Sequence, residues 1–155
     1  MNIRPPEKPQ ALLNFALATY AKPEVESVCL ELQDRYGGQV NVLLWAAWLD
    51  SLQAPINSRL LGQACASIAL QERYWLRPLR GLRRRIPRSF LKLRRGVKNL
   101  ELRAEYWQLN RLGGYTTLTD GGVTRIGAQS GGYRLQYLRG LGVPVIFRDR
   151  VLTLL

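Results

Sequence analysis

Val42-Leu43-Leu44-Trp45-Ala46-Ala47-Trp48-Leu49, eight residues between Asn41 and Asp50, form the longest uninterrupted apolar run in the chain. The run is less than half of what a membrane-spanning helix needs. Apolar on every side, it predicts a helix with no solvent face, placed at the centre of a bundle and covered by amphipathic neighbours. Asn41 is the expected cap of this helix, which should run over about residues 42–52.

The flanking sequence supplies those neighbours. A first helix is expected over about residues 10–21, with Leu12, Phe15, Ala16 and Thr19 on one side. Lys22-Pro23 breaks it, and Pro23 is expected at the first position of the next helix. There Val25, Val28, Cys29, Leu32 and Tyr36 share a face while acidic residues take the other, and Gly37-Gly38 ends the element. After the run, Asn57-Ser58 reads as a turn and cap. The following helix carries Leu61, Ala64, Cys65 and Ile68 on one side and continues toward Trp75. Pro78 and Pro87 must each kink or restart it.

Phe90, Leu93, Val97, Leu100, Ala104 and Trp107 then recur in steps of three and four. This predicts a long helix over 89–112 that docks the stripe on the core, ended by Gly113-Gly114. A coiled-coil dimer seam would need the same pattern. Beyond it the chain is rich in Gly and Thr. Short strands are expected over 115–119 and 123–126, a short helix over 133–141, and a β-hairpin pairing 145–147 with 151–155. The fold class expected is therefore all-α in the main: a compact bundle of four or five helices with an irregular C-terminal tail. Residues 1–9 form an arm, 10–112 a helical domain, and 113–155 a Gly-rich extension packed on it.

A 155-residue chain with 46% apolar residues is long and hydrophobic enough to bury one real core. It holds two cysteines, Cys29 and Cys65, and no histidine. Both cysteines fall on apolar helix faces and are expected as buried thiols in a reducing compartment. Without histidine the commonest general base and the commonest transition-metal ligand are missing, so a zinc site, a cofactor and enzymatic chemistry are not expected. The N-terminal residues lack the apolar stretch of a secretory signal, and the expected location is the cytoplasm.

Charge carries the functional expectation. Thirteen of the 23 basic residues lie between Arg73 and Leu112, where the acids are Glu101 and Glu105, so most of the net charge of +12 sits in forty residues. Arginine outnumbers lysine there eleven to two, which suits bidentate binding of phosphate. The candidate polyanion-binding residues are Arg73, Arg77, Arg80, Arg83, Arg84, Arg85, Arg88, Lys92, Arg94, Arg95 and Lys98. RNA, a ribonucleoprotein or DNA is the expected partner; an acidic protein patch or an anionic membrane surface would satisfy the same charges. Tyr74, Trp75 and Phe90 stand nearby and could stack on bases, although Trp75 and Phe90 are expected in the core. Glu101 and Glu105, one helical turn apart among arginines, read as ion-pair partners rather than catalytic acids. The alternative function is a protein–protein adaptor that uses the amphipathic 89–112 helix.

Several strings also carry a family likeness. Phe15-Ala16-Leu17, Tyr20-Ala21, Pro23, Val25, Cys29-Leu30, Leu32-Gln33-Asp34 and Val40-Asn41 with Leu43-Leu44 resemble a family of uncharacterised proteobacterial proteins. Trp75 with Pro78-Leu79-Arg80, Leu82-Arg83, Val97-Lys98, Glu101-Leu102 and Ala104-Glu105 extend the likeness over about residues 12–112. The resemblance implies a small helical domain of unknown function and brings no catalytic residue with it.

Overall fold

The computed structural model of the chain describes residues 8–54, 57–115 and 132–155. All regular structure among them is helical: α1 Lys8–Tyr20, α2 Val25–Tyr36, α3 Val40–Ser51, α4 Ser58–Gln71, α5 Arg77–Arg85, α6 Leu91–Tyr115, α7 Tyr133–Gly140 and α8 Val145–Leu154. A π-helical turn, Glu72–Leu76, joins α4 to α5. None of these helices is long and apolar enough to cross a membrane.

The all-apolar run forms the centre. Every side chain from Asn41 to Leu49 is buried, and α1, α2, α6 and α7 pack around α3. Each large side chain buried there contributes about 1.5–3 kcal/mol of transfer free energy, and Leu43, Trp45 and Leu49 are wholly enclosed. The helix begins at Val40 with Gln39 in the capping position, so Asn41 is not its cap. Asn41 points into the interior, where Nδ2 donates to Oε1 of Gln108 at 2.8 Å and to the Glu105 carbonyl at 3.3 Å.

The surrounding helices use the faces their spacing predicts. Leu12, Ala16 and Thr19 of α1 are buried, as are Val25, Val28, Cys29 and Leu32 of α2, and Leu61, Ala64 and Ile68 of α4. Gly37 adopts the left-handed conformation at φ 66°, and a Cβ on Gly38 would strike the Leu32 side chain, which explains the glycine pair at the end of α2. Asn57 caps α4 as expected, its Oδ1 accepting from Leu60 N–H at 3.0 Å. Pro23 does not open α2, because Glu24 intervenes in the left-handed region at φ 67°. Glycines 113 and 114 do not end α6 either. Leu109 and Leu112 bury against the core just before the expected stop and Tyr115 packs against it just after, and that packing carries the helix through both glycines.

The tail corrects the expected hairpin. Residues 145–154 form α8, with Phe147 and Val151 buried one turn apart and Pro144 preceding the first turn. Phe147 rests on Tyr36 of α2 with ring centroids 4.8 Å apart. Spacing i, i+4 is helical, and Arg148-Asp149-Arg150 lies inside the helix rather than in a turn. The expected short helix is present as α7. The strand expected over 123–126 lies outside the described residues, as does the one over 115–119 apart from Tyr115, which ends α6.

The expected domain of 10–112 with an extension meets a single shared core: Tyr133, Tyr137, Leu138, Phe147 and Val151 join the same buried cluster as α1 through α4 and α6. Two tyrosine hydroxyls of α7 serve the starts of other helices. Tyr137 Oη accepts from the Gln39 N–H at 2.6 Å, before α3, and Tyr133 Oη accepts from the Asn57 N–H at 3.0 Å, before α4. Asp50, at the end of α3, returns the arrangement. Its carboxylate accepts from the Tyr133 N–H at 2.6 Å and from Arg134 Nε at 2.7 Å, where a helix N-terminus favours an anion.

A Cβ on Gly132 would overlap that carboxylate. Gly132→Ala should therefore displace Asp50 and lower stability by about 1–3 kcal/mol, read by chemical denaturation; an unchanged midpoint would show that the α3–α7 junction tolerates the shift. Burial also pushes the Tyr20 hydroxyl and the Cys29 thiol up to about 12, and raises Tyr137 as well. Native protein keeps these protons where the unfolded chain releases them, so the stability they contribute is complete below about pH 9 and declines as pH rises toward 12. Thermal melts should hold their midpoint to about pH 9 and fall above it; a midpoint flat to strongly alkaline pH would contradict the burial.

Candidate functional site

Pro78 decides where the basic segment starts. It has no N–H to give to the carbonyl four residues back, and its ring collides with that carbonyl in a regular helix. The chain widens by one residue instead, so that the Arg77 N–H reaches the Glu72 carbonyl, and α5 restarts with Pro78 in its first turn. This turn sends Glu72 and Leu76 inward and Tyr74 and Trp75 outward. Trp75, expected in the core, is 65% exposed.

No side chain of α5 is fully buried, so polar contacts to α6 and the π turn hold much of it. Arg80, largely buried, donates from Nη1 to Glu72 Oε1 at 2.7 Å and from Nη2 to Glu105 Oε1 at 3.1 Å. Arg83 Nε donates to Glu101 Oε1 at 2.7 Å. Arg94 Nη1 closes the last turn of α5 by donating to the carbonyls of Arg83 at 3.0 Å and Ile86 at 2.7 Å. Glu72 and Glu101 are themselves buried. Burial raises the Glu105 carboxyl above the usual range, while the Arg80 guanidinium pulls against that rise. Glu101 and Glu105 thus form the ion pairs read from the sequence.

The eleven candidate cations divide accordingly. Arg80, Arg83 and Arg94 belong to the fold. Arg84 makes an exposed contact with Asp34 at 3.2 Å, a pair worth about 0–1 kcal/mol, and Arg77 stands 4.0 Å from buried Glu72; both guanidiniums remain accessible. Arg73 lies over the Tyr74 ring at 5.5 Å. Arg85, Arg88, Lys92, Arg95 and Lys98 are exposed and carry no ion pair or hydrogen bond with the described residues. They cluster about the 86–90 connection and the first two turns of α6. Phe90, also expected in the core, stands among them at 60% exposed.

The long stripe of α6 is rotated from its expected place. The buried line runs through Val97, Glu101, Gln108, Leu109 and Leu112. Leu100 is 51% and Trp107 46% exposed, and Leu93 is exposed beside them. Of the stripe, Val97 is buried and Ala104 half-buried. The rotation follows from polar demand: Glu101 turns inward to Arg83 and Gln108 to Asn41, and apolar residues one position away are carried toward solvent.

An open groove of about 520 Å³ results, walled by Leu70, Tyr74, Trp75, Leu79, Leu100 and Trp107. Arg111 also lines it, its guanidinium 5.3 Å from the Trp107 ring centroid. Sequence reasoning missed this feature; the signal lay in Glu101 and Gln108, polar residues at positions that a stripe-down helix would leave wet. A smaller notch of about 240 Å³ joins Asp34 and Glu72 with Arg77, Arg80 and Arg84, where the opposite charges offset one another. Among the described residues, no group of three or more Cys, Asp and Glu side chains is placed to hold a metal ion.

A family model matches residues 11–112, from α1 to the start of the last turn of α6. The chain belongs to the DUF2390 family, proteins of unknown function. The match takes in the core helix, the π turn and the whole basic segment, and it ends before α7 and α8. No curated protein and no solved structure matches the chain.

Arg83 and Arg85, two residues apart, should behave differently when reversed. Arg83→Glu sets a second carboxylate against buried Glu101 and should lower stability by about 2–4 kcal/mol. Arg85→Glu should stay within about 0.5 kcal/mol of the parent protein. Urea titration of the two variants checks this, and equal midpoints would refute the division of roles.

Proposed function

We propose that this DUF2390 protein is a non-enzymatic, cytoplasmic binding protein that holds a phosphate-rich polyanion on the exposed cations of the α5–α6 connection. Arg85, Arg88, Lys92, Arg95 and Lys98 supply the charge, with Arg73, Arg77 and Arg84 at the margin. The observation that carries this reading is the division itself. Buried glutamates take up Arg80 and Arg83, yet five further cations remain grouped and without an acid partner among the described residues. A surface helix that needs only solubility interleaves both signs.

Phe90, exposed between Arg88 and Lys92, favours single-stranded nucleic acid over duplex, because an unstacked base can lie on its ring. RNA is placed ahead of DNA, with an acidic protein or an anionic membrane surface behind both. Both cysteines are free thiols, in keeping with a reducing compartment.

The test is fluorescence anisotropy with labelled single-stranded RNA, single-stranded DNA and duplex DNA at two salt concentrations. Affinity for the single strands should fall with salt at a log–log slope of about −0.7 per neutralised phosphate. The combined variant Arg85→Glu, Arg88→Glu, Arg95→Glu should lose at least about tenfold in affinity while melting like the parent, since each good charge contact is worth about 1 kcal/mol or more. Binding that ignores salt, or that survives the reversal, would remove the cations from the function.

A further inference from the structure

We infer that the groove between α4, the π turn, α5 and α6 is a docking site for an acidic amphipathic helix of a partner protein. The site is distinct from the five-cation phosphate surface proposed above and shares with it only Arg73, at that surface's margin. At about 100° per residue, Lys98 and Arg95 lie on the far side of α6 from Leu100, so the two surfaces use different faces of one helix.

Shape and composition select a helix as the occupant. Leu100, Ala104 and Trp107 line the groove from α6, Leu100 and Trp107 standing two turns and about 10.5 Å apart. Leu70 and Tyr74, from α4 and the π turn, face that row across the groove. A second helix laid in such a channel anchors through residues at i, i+3 or i+4, and i+7. Trp, Tyr and Arg, the residue types that dominate interface energies, are all present in the lining. The walls are aliphatic as much as aromatic, which fits a peptide's apolar face better than a run of stacked bases.

Charge selects an acidic helix. Among the described residues the lining includes Arg111 and no acid. Each wall carries a guanidinium resting on its own aromatic ring: Arg73 over Tyr74 on one side, Arg111 over Trp107 on the other. Glutamates or aspartates flanking the apolar anchors would meet these two cations. A second copy of this chain would instead bring the same arginines, and the same net charge of +12, against them.

The experiment uses the full chain and two labelled synthetic peptides, read by anisotropy. One is an amphipathic helix with Leu and Trp along one face and Glu on its flanks; the other replaces each Glu with Lys. The Glu peptide should bind at least about tenfold more tightly than the Lys peptide. Leu100→Asp and Trp107→Ala should each weaken it by about tenfold or more, with melting temperature and affinity for single-stranded RNA unchanged. The Arg85, Arg88, Arg95 reversal should weaken RNA and leave the peptide in place, so the two readings fail separately. Equal binding of both peptides, or binding indifferent to Leu100→Asp, would overturn the inference. So would a dimer dissolved by Leu100→Asp in light scattering, which would put a second copy in the groove. Displacement of the peptide by RNA would assign the groove to nucleic acid and equally overturn it.

Discussion

The complete burial of α3 is the constraint from which the rest of the structure follows. A helix with no polar face cannot meet water, so every side must be covered, and α1, α2, α6 and α7 together do this. Covering it also requires that its ends be satisfied from outside. Tyr137 accepts from the Gln39 N–H at its start, and Asp50 at its end reaches back to the first turn of α7. Asn41, polar and buried in the first turn of α3, is tolerated because Gln108 of α6 meets it with a hydrogen bond. The short C-terminal helices therefore close the core; they are not an ornament upon it.

A second balance governs the basic segment. Glu72 and Glu101 are buried, and a buried carboxylate is stable only beside a cation that hydrogen-bonds to it. Arg80 and Arg83 fill that role, so an arginine-rich helix with no fully buried side chain of its own becomes fastened to α6. The remaining cations have no such partner and are left together at the 86–90 connection. Segregation of paired from unpaired arginine gives the surface its character, more than the total charge does.

The same pairing has an apolar consequence. Turning Glu101 and Gln108 inward rotates Leu100 and Trp107 out, and the π turn before Pro78 throws Tyr74 and Trp75 toward them. Apolar surface in one place and cations in another thus share a single cause. An exposed contiguous apolar groove on a small domain ordinarily marks an interaction surface.

The sequence alone determined the helical class, the central helix, the faces of α1, α2 and α4, the Asn57 cap, the Gly37-Gly38 stop, and the concentration of positive charge. Each of these depends on residues within a few positions of one another, where periodicity and turn chemistry act. The tertiary structure decided the start of α3, the length of α6, the helical nature of α8, and which arginines are free. Those depend on partners far away in the chain: Gln108 for Asn41, the shared core for Leu112, Tyr36 for Phe147, and Glu72, Glu101 and Glu105 for Arg80 and Arg83. The stripe of α6 shows the reason most directly. Its spacing named a correct helix and the wrong face: an unpartnered carboxylate would have stayed in water, but Arg83 pairs with Glu101 and lets it turn inward while Leu100 is left wet, and only the fold brings that partner within reach.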